Sequence, residues 1–102
     1  MNKITLLIGL NDKDTKKQEI SFTVALGIIA DYIAQNIGFG TLSRADGVYT
    51  HDNGATVQET SIRAEFFTED VEKIVEFARF AKSTLNQESI AMEVSAPKFE
   101  LI

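Results

Sequence analysis

Apolar and polar positions change their spacing in blocks along the chain, and each block predicts an element. Residues 3–10 are nearly all apolar, the pattern of a central strand buried on both faces. A polar loop over 11–19 follows, carrying Lys13, Lys16 and Lys17. Apolar positions then recur at helical spacing: Phe22, Leu26, Ile29, Ile33 and Ile37 form one stripe, flanked by Val24, Ile28 and Tyr32. Ser21 is the expected N-cap, because its hydroxyl can accept a free amide of the first turn. Gly38 is the expected left-handed stop.

Two alternating segments, about 41–51 and 55–67, flank Asn53-Gly54. That dipeptide is the strongest short signal for a two-residue hairpin turn, since both positions favour positive φ. With Asn53 and Gly54 as the central residues, Tyr49 opposes Gln58, Ala45 opposes Ile62 and Ser43 opposes Ala64. These, with Phe66, form the face expected to pack under helices. Leu42, Arg44, Asp46, Val48, Val57, Glu59, Ser61, Arg63 and Glu65 form the other, open face. A one-residue bulge would exchange part of these sets.

Thr68-Glu69-Asp70 opens a second helix with a cap and acids at its positive dipole end. Val71, Ile74, Val75, Ala78, Ala81 and Leu85 are its core stripe, widened by Phe77 and Phe80. Asn86 is the expected stop. Residues 89–95 alternate again, Pro97 interrupts, and Phe99, Leu101 and Ile102 suggest a short terminal strand. The order is β-α-β-β-α-β. It predicts an α+β, ferredoxin-like sandwich over residues 1–102 as a single domain: one antiparallel sheet, two helices on one face, and a short C-terminal strand extension. The expected sheet order, 4-1-3-2, centres the most apolar strand.

Composition narrows the function classes. Fifteen acids against ten Lys and Arg give a formal charge of −5 over 102 residues, which disfavours phosphate backbones and therefore nucleic acid. The absence of cysteine excludes disulfides, thiolate metal sites and cysteine nucleophiles. With His51 as the one histidine, no multi-histidine metal site forms within one chain. No metal or cofactor is expected. The apolar start ends at Asn11-Asp12-Lys13-Asp14 with no small-x-small cleavage site, and no run is long enough to span a bilayer. The expected location is cytoplasmic, with no membrane partner.

Two places gather chemistry. The topology brings Lys13, Lys16, Lys17, Ser21, His51, Gln87, Glu88 and Ser89 to one rim. A helix N-terminus with lysines suits a small anionic ligand, so Gln87, Glu88, Ser89, His51, Lys16 and Lys17 are candidate ligand-binding residues. The open sheet face is the second place. Leu42, Arg44, Val48, Glu59, Ser61, Arg63 and Glu65 are candidate interface residues, for a second copy of the chain or another protein. No catalytic constellation stands out. Gly38-Phe39-Gly40 lacks the third glycine and following helix of a dinucleotide fingerprint, Asp12-Lys13-Asp14 lacks the central glycine of a calcium loop, and there is no Gly-x-Ser-x-Gly elbow.

Gly40-x-Leu42, Gly47-Val48-Tyr49, Gly54, Glu59-x-Ser61, Gln87-Glu88-Ser89-Ile90 and Pro97 occur in that order over the C-terminal 60% of the chain. In this the chain resembles a bacterial ferredoxin-like domain family of unknown function with a Gln-Glu-Ser strand start. The resemblance implies the fold and no reaction. The expected function is a non-catalytic binding or interaction module, a homodimer through the open sheet face. The alternatives are a small-ligand binder or enzyme using a rim or interface pocket, and an acidic inhibitor of a nucleic-acid-binding protein.

Overall fold

A computed structural model describes residues 1–50, 52–98 and 100–102. Its elements are β1 (Asn2–Gly9), α1 (Phe22–Asn36), β2 (Thr41–Thr50), β3 (Thr56–Thr68), α2 (Val71–Thr84) and β4 (Ala91–Ser95). They form an α+β, ferredoxin-like arrangement, with the antiparallel sheet in the order β2-β3-β1-β4.

The helix ends follow their capping chemistry. Ser21 Oγ accepts from Val24 N at 3.2 Å, and Asp70 Oδ1 accepts from Lys73 N at 3.1 Å. Gly38 closes α1 at φ +93°, where its N–H donates to Ile33 O at 2.7 Å. Asn86 follows α2 at φ +48°, a conformation that asparagine tolerates better than most residues.

One core lies between the helices and one sheet face. β1 contributes Ile4, Leu6 and Ile8, β3 contributes Ile62, Ala64 and Phe66, and the helices contribute Ala25, Ile29, Ile33, Ile74, Phe77 and Ala81. Phe77 is the hinge of this packing. Its ring meets Phe66 edge-on and Tyr32 at a tilt, each with centroids 5.5 Å apart, and Tyr32 also stacks on Phe80 at 4.4 Å. The two helices and the sheet thus share one aromatic cluster. β1 alternates rather than being buried on both faces: Leu7 is 41% exposed on the face away from the helices.

The β2–β3 register differs from the expected one by a single residue, and the reason is local. Asn53 does not adopt positive φ. Its Oδ1 instead accepts from Ala55 N at 2.9 Å, an Asx turn that replaces the two-residue turn. The last strand pair is Thr50 with Thr56, so five residues connect the strands. Leu42 then pairs with Ala64, Arg44 with Ile62 and Val48 with Gln58. The β2 half of the expected open face is therefore corrected: Leu42, Arg44 and Val48 lie on the helix side. Leu42 packs against the core, and the Arg44 guanidinium sits 5.7 Å from the Phe22 ring centroid. Tyr49 moves to the open face. Glu59, Ser61, Arg63 and Glu65 stay there, opposite in orientation to Ile62, Ala64 and Phe66.

A second correction concerns the tail. β4 ends at Ser95, and residues 96–98 and 100–102 carry no strand. Pro97 supplies no N–H to continue the ladder, and Leu101 and Ile102 are exposed. Phe99 lies outside the described residues.

β3 outruns β1. Its pairing with β1 ends at Ser61, while β2 and β3 continue together to Thr56. The hairpin therefore projects as a two-stranded arm, and the molecule measures 47 × 26 × 23 Å. Replacing Phe77 by Ala removes the ring on which both helices and the sheet converge. The expected loss is about 3–5 kcal/mol in denaturant unfolding; a loss below about 1 kcal/mol would contradict this account of the core.

Candidate functional site

The exit of β1, the exit of α2 and the root of the hairpin arm meet at one rim. Two residues after α2 hold them together. Gln87 is 6% exposed, and its Nε2 donates to Asn11 O at 2.8 Å and to Leu85 O at 3.3 Å. The Asn86 Nδ2 donates to Asp12 Oδ2 and Asp14 Oδ2, both at 2.9 Å, while Asn86 O accepts from Lys13 N at 3.0 Å. All of these bonds but the one to Leu85 O join positions more than seventy residues apart in the chain.

The loop over 11–19 folds on itself around Asp12. Its Oδ1 accepts from Asp14 N at 2.8 Å and Thr15 N at 3.1 Å, and its carbonyl accepts from Lys16 N at 2.8 Å. Lys16 takes φ +64°, a left-handed conformation that costs a non-glycine residue about 1–3 kcal/mol. Asn11 pairs with Gln18 across the base, so the loop is a closed turn that holds its lysines at the rim. The Asn86 amide, and then the Asp14 and Thr15 backbone N–H groups, hold the Asp12 carboxyl below the usual carboxylate range. Both Asp12 oxygens are occupied by this work, so Asp12 builds the loop.

Glu59 reaches the same rim from β3. Its Oε2 accepts from Asn11 N at 2.9 Å, and its Oε1 accepts no hydrogen bond among the described residues. The carboxylate is half-buried. Asn11, Asp12, Lys13, Lys16, Tyr49, Glu59, Gln87, Glu88 and Ser89 line a cleft of about 390 Å³ beside it. The lining carries three carboxylates, two lysines and one phenol ring. That is a site for a ligand bearing both charges and a flat or polarisable part, rather than for a simple anion. Among the described residues no group of three or more Asp, Glu or His is placed to hold one metal ion.

Of the ligand-binding residues expected at the rim, Gln87, Glu88, Ser89 and Lys16 line the cleft. Lys17 is exposed on the same loop but outside the lining, and His51 lies outside the described residues. Gln87 is also the clamp just described. Glu59, expected on the interface, stands at the junction of the open face and the cleft. A two-residue turn puts Tyr49 under the helices; the five-residue connection pairs it with Val57 and puts it on the same face as Glu59. Asn11 contributes a backbone N–H, which no side-chain pattern marks.

The direction of the Asp12 shift sets a pH dependence. A carboxyl whose folded value is depressed stabilises the loop fully above its unfolded value and loses that effect as pH falls through the folded value. The protection of the Asp14, Thr15 and Lys16 amides, measured against the unfolded exchange rate at each pH, is therefore expected to fall on acidification, while Asp12→Ala lacks that protection already at neutral pH. Unchanged protection in that variant would contradict the role of Asp12.

No protein-family model matches the chain, and no curated protein matches it in sequence. No helix among the described residues is long and apolar enough to cross a membrane. Solved structures do match the fold. A phage SAM lyase in complex with S-methyl-5'-thioadenosine superposes with a TM-score of 0.65 at 21% identity, over 92% of this chain and 79% of that one. The same lyase in its apo state gives 0.67 at 20% identity, over 92% and 78%. CutA from Synechococcus elongatus gives 0.59 at 14% identity, over 94% and 76%. At these identities the likeness establishes a shared ferredoxin-like fold.

Proposed function

We propose that the rim cleft binds S-adenosylmethionine and that the protein cleaves it, releasing S-methyl-5'-thioadenosine. The observation that carries this reading is the Glu59 carboxylate, anchored through one oxygen to Asn11 N and offering the other to a cleft of mixed charge. S-Adenosylmethionine carries a sulfonium cation, an α-ammonium, an α-carboxylate and a purine. Glu59 complements the sulfonium. Tyr49 lines the same cleft, where an aromatic residue suits the cation or the purine. Lys13 and Lys16 suit the α-carboxylate, and Glu88 the ammonium. The lyase similar in fold, with its bound thioadenosine, supports this choice of ligand.

The chemistry asks little of the protein beyond placement. The bond between sulfur and the γ-carbon of the amino acid breaks, and its electron pair stays on sulfur as a neutral thioether. As that bond breaks, the fragment's own carboxylate attacks the same carbon to close a lactone, or the neighbouring β-proton passes to the Glu59 carboxylate as a double bond forms. Either route balances without added water. A rigid cleft that folds the amino acid back on itself accelerates the first route by proximity.

The test incubates the full-length chain with S-adenosylmethionine and follows S-methyl-5'-thioadenosine by chromatography, with binding measured by calorimetry. Product formation is expected, and Glu59→Gln should lower binding or turnover about tenfold or more, the scale of one charge-assisted contact. Binding without product would remove the lyase step. Neither binding nor product at millimolar ligand would overturn the reading.

A second reading rests on a separate observation. Leu7 lies open on the sheet face beside Arg63, Glu65 and Glu93, over a shallow cavity of about 400 Å³. Self-association of two chains through this face would cover Leu7 and set the partner's carboxylates against Arg63. Arg63→Glu is then expected to shift native mass spectra at low micromolar concentration towards the monomer. An unchanged mass distribution would count against this interface.

A further inference from the structure

We infer that Gly9 is a positioning residue for Glu59, its missing side chain being the seat of the carboxylate; this rests on the reading of the cleft proposed above. A Cβ placed on Gly9 would stand 2.6 Å from Glu59 Cδ and 2.6 Å from each carboxylate oxygen. Ordinary contact distances between such atoms are about 3.5–4.0 Å. The carboxylate therefore occupies the volume that any other residue at position 9 would fill.

Backbone conformation does not explain this glycine. Positive φ occurs at Gly38 and Gly54, not at Gly9. Gly9 pairs with Ser61 in the ladder between β1 and β3, where glycine is unfavourable because it is conformationally loose and packs nothing. Close approach of another group is the remaining reason for it, and the three nearest atoms all belong to the Glu59 carboxyl. The donor comes from the same stretch of chain: Asn11 N, two residues on, holds Oε2 at 2.9 Å. On the other side, the β2 partner of Glu59 is Gly47, which offers no side chain to draw the carboxylate away. Glu59 has several free rotors and would otherwise sample many positions. The seat fixes one of them before ligand arrives, with Oε1 left for the cation.

Gly9→Ala tests this cleanly. The added methyl meets the far end of a flexible side chain, and the backbone at position 9 accepts alanine, so the fold is kept. The melting temperature should change little, because losing the Asn11 bond is offset by the smaller unfolded-chain entropy of alanine. Binding or cleavage of S-adenosylmethionine should fall about tenfold or more, as for Glu59→Gln. The double variant should be no worse than either single one, because both remove the same contact. A ligand-free readout accompanies these: the Asn11 amide proton resonance, moved downfield by its bond to the carboxylate, should move upfield in Gly9→Ala as it does in Glu59→Ala, and less in Glu59→Gln, whose amide oxygen still accepts. Retention of the wild-type resonance in Gly9→Ala would overturn the inference, as would additive losses in the double variant. If wild-type protein neither binds nor cleaves the ligand, the cleft reading fails by itself, and the Asn11 resonance alone decides the role of Gly9.

Discussion

Gln87 spends its side-chain amide on two backbone carbonyls, Asn11 O and Leu85 O, in a nearly water-free position. A carbonyl left unpaired there would cost about 1–3 kcal/mol, so the bond dictates where the chain after α2 crosses the chain after β1. Everything at the rim depends on that crossing. Asn86, the preceding residue, is thereby presented to Asp12 and Asp14. Asn11 is held by its carbonyl, which leaves its N–H directed at Glu59. One buried amide thus relates the loop, the carboxylate and the two residues that follow it, Glu88 and Ser89.

The fold was legible in the sequence wherever one local rule decides an element. Ser21 before an apolar stripe, the Thr68-Glu69-Asp70 run before another, and Gly38 and Asn86 after them mark both helices to within two or three residues, because caps satisfy backbone groups that nothing else reaches. The order of elements and the near-continuous apolar run of β1 then leave few ways to close one sheet. What local rules do not decide is competition between two good local solutions. Asn53-Gly54 favours a two-residue turn, yet the Asn53 side chain has an equally local use in bonding Ala55 N. The second solution won, the loop gained length, and every β2 side chain changed face. Arg44 gained a ring to lie on, and Tyr49 gained the cleft.

The candidate site was legible in part for the same reason. Topology alone brings Lys16 and the Gln87-Glu88-Ser89 run to one rim. Glu59 was visible as a polar residue on the open face, but its depth was not, since that depends on an empty position at Gly9 and on a backbone N–H. Neither an absent side chain nor a main-chain donor leaves a mark in a pattern of polar and apolar residues. The expectation of an anionic ligand came from counting lysines in the loop. The structure adds the Glu59 carboxylate from β3 to the Glu88 expected there, and the cleft becomes suited to a ligand of both charges.

The claim that most of this account rests on is the location of the ligand, and chemical-shift mapping reads location directly. Isotope-labelled protein titrated with S-methyl-5'-thioadenosine should show its largest shifts at Asn11, Lys13, Lys16, Tyr49, Glu59 and Gln87 to Ser89, with little change around Leu7, Arg63 and Ala91. Shifts concentrated on that open face instead, or absent at saturating ligand, would contradict it.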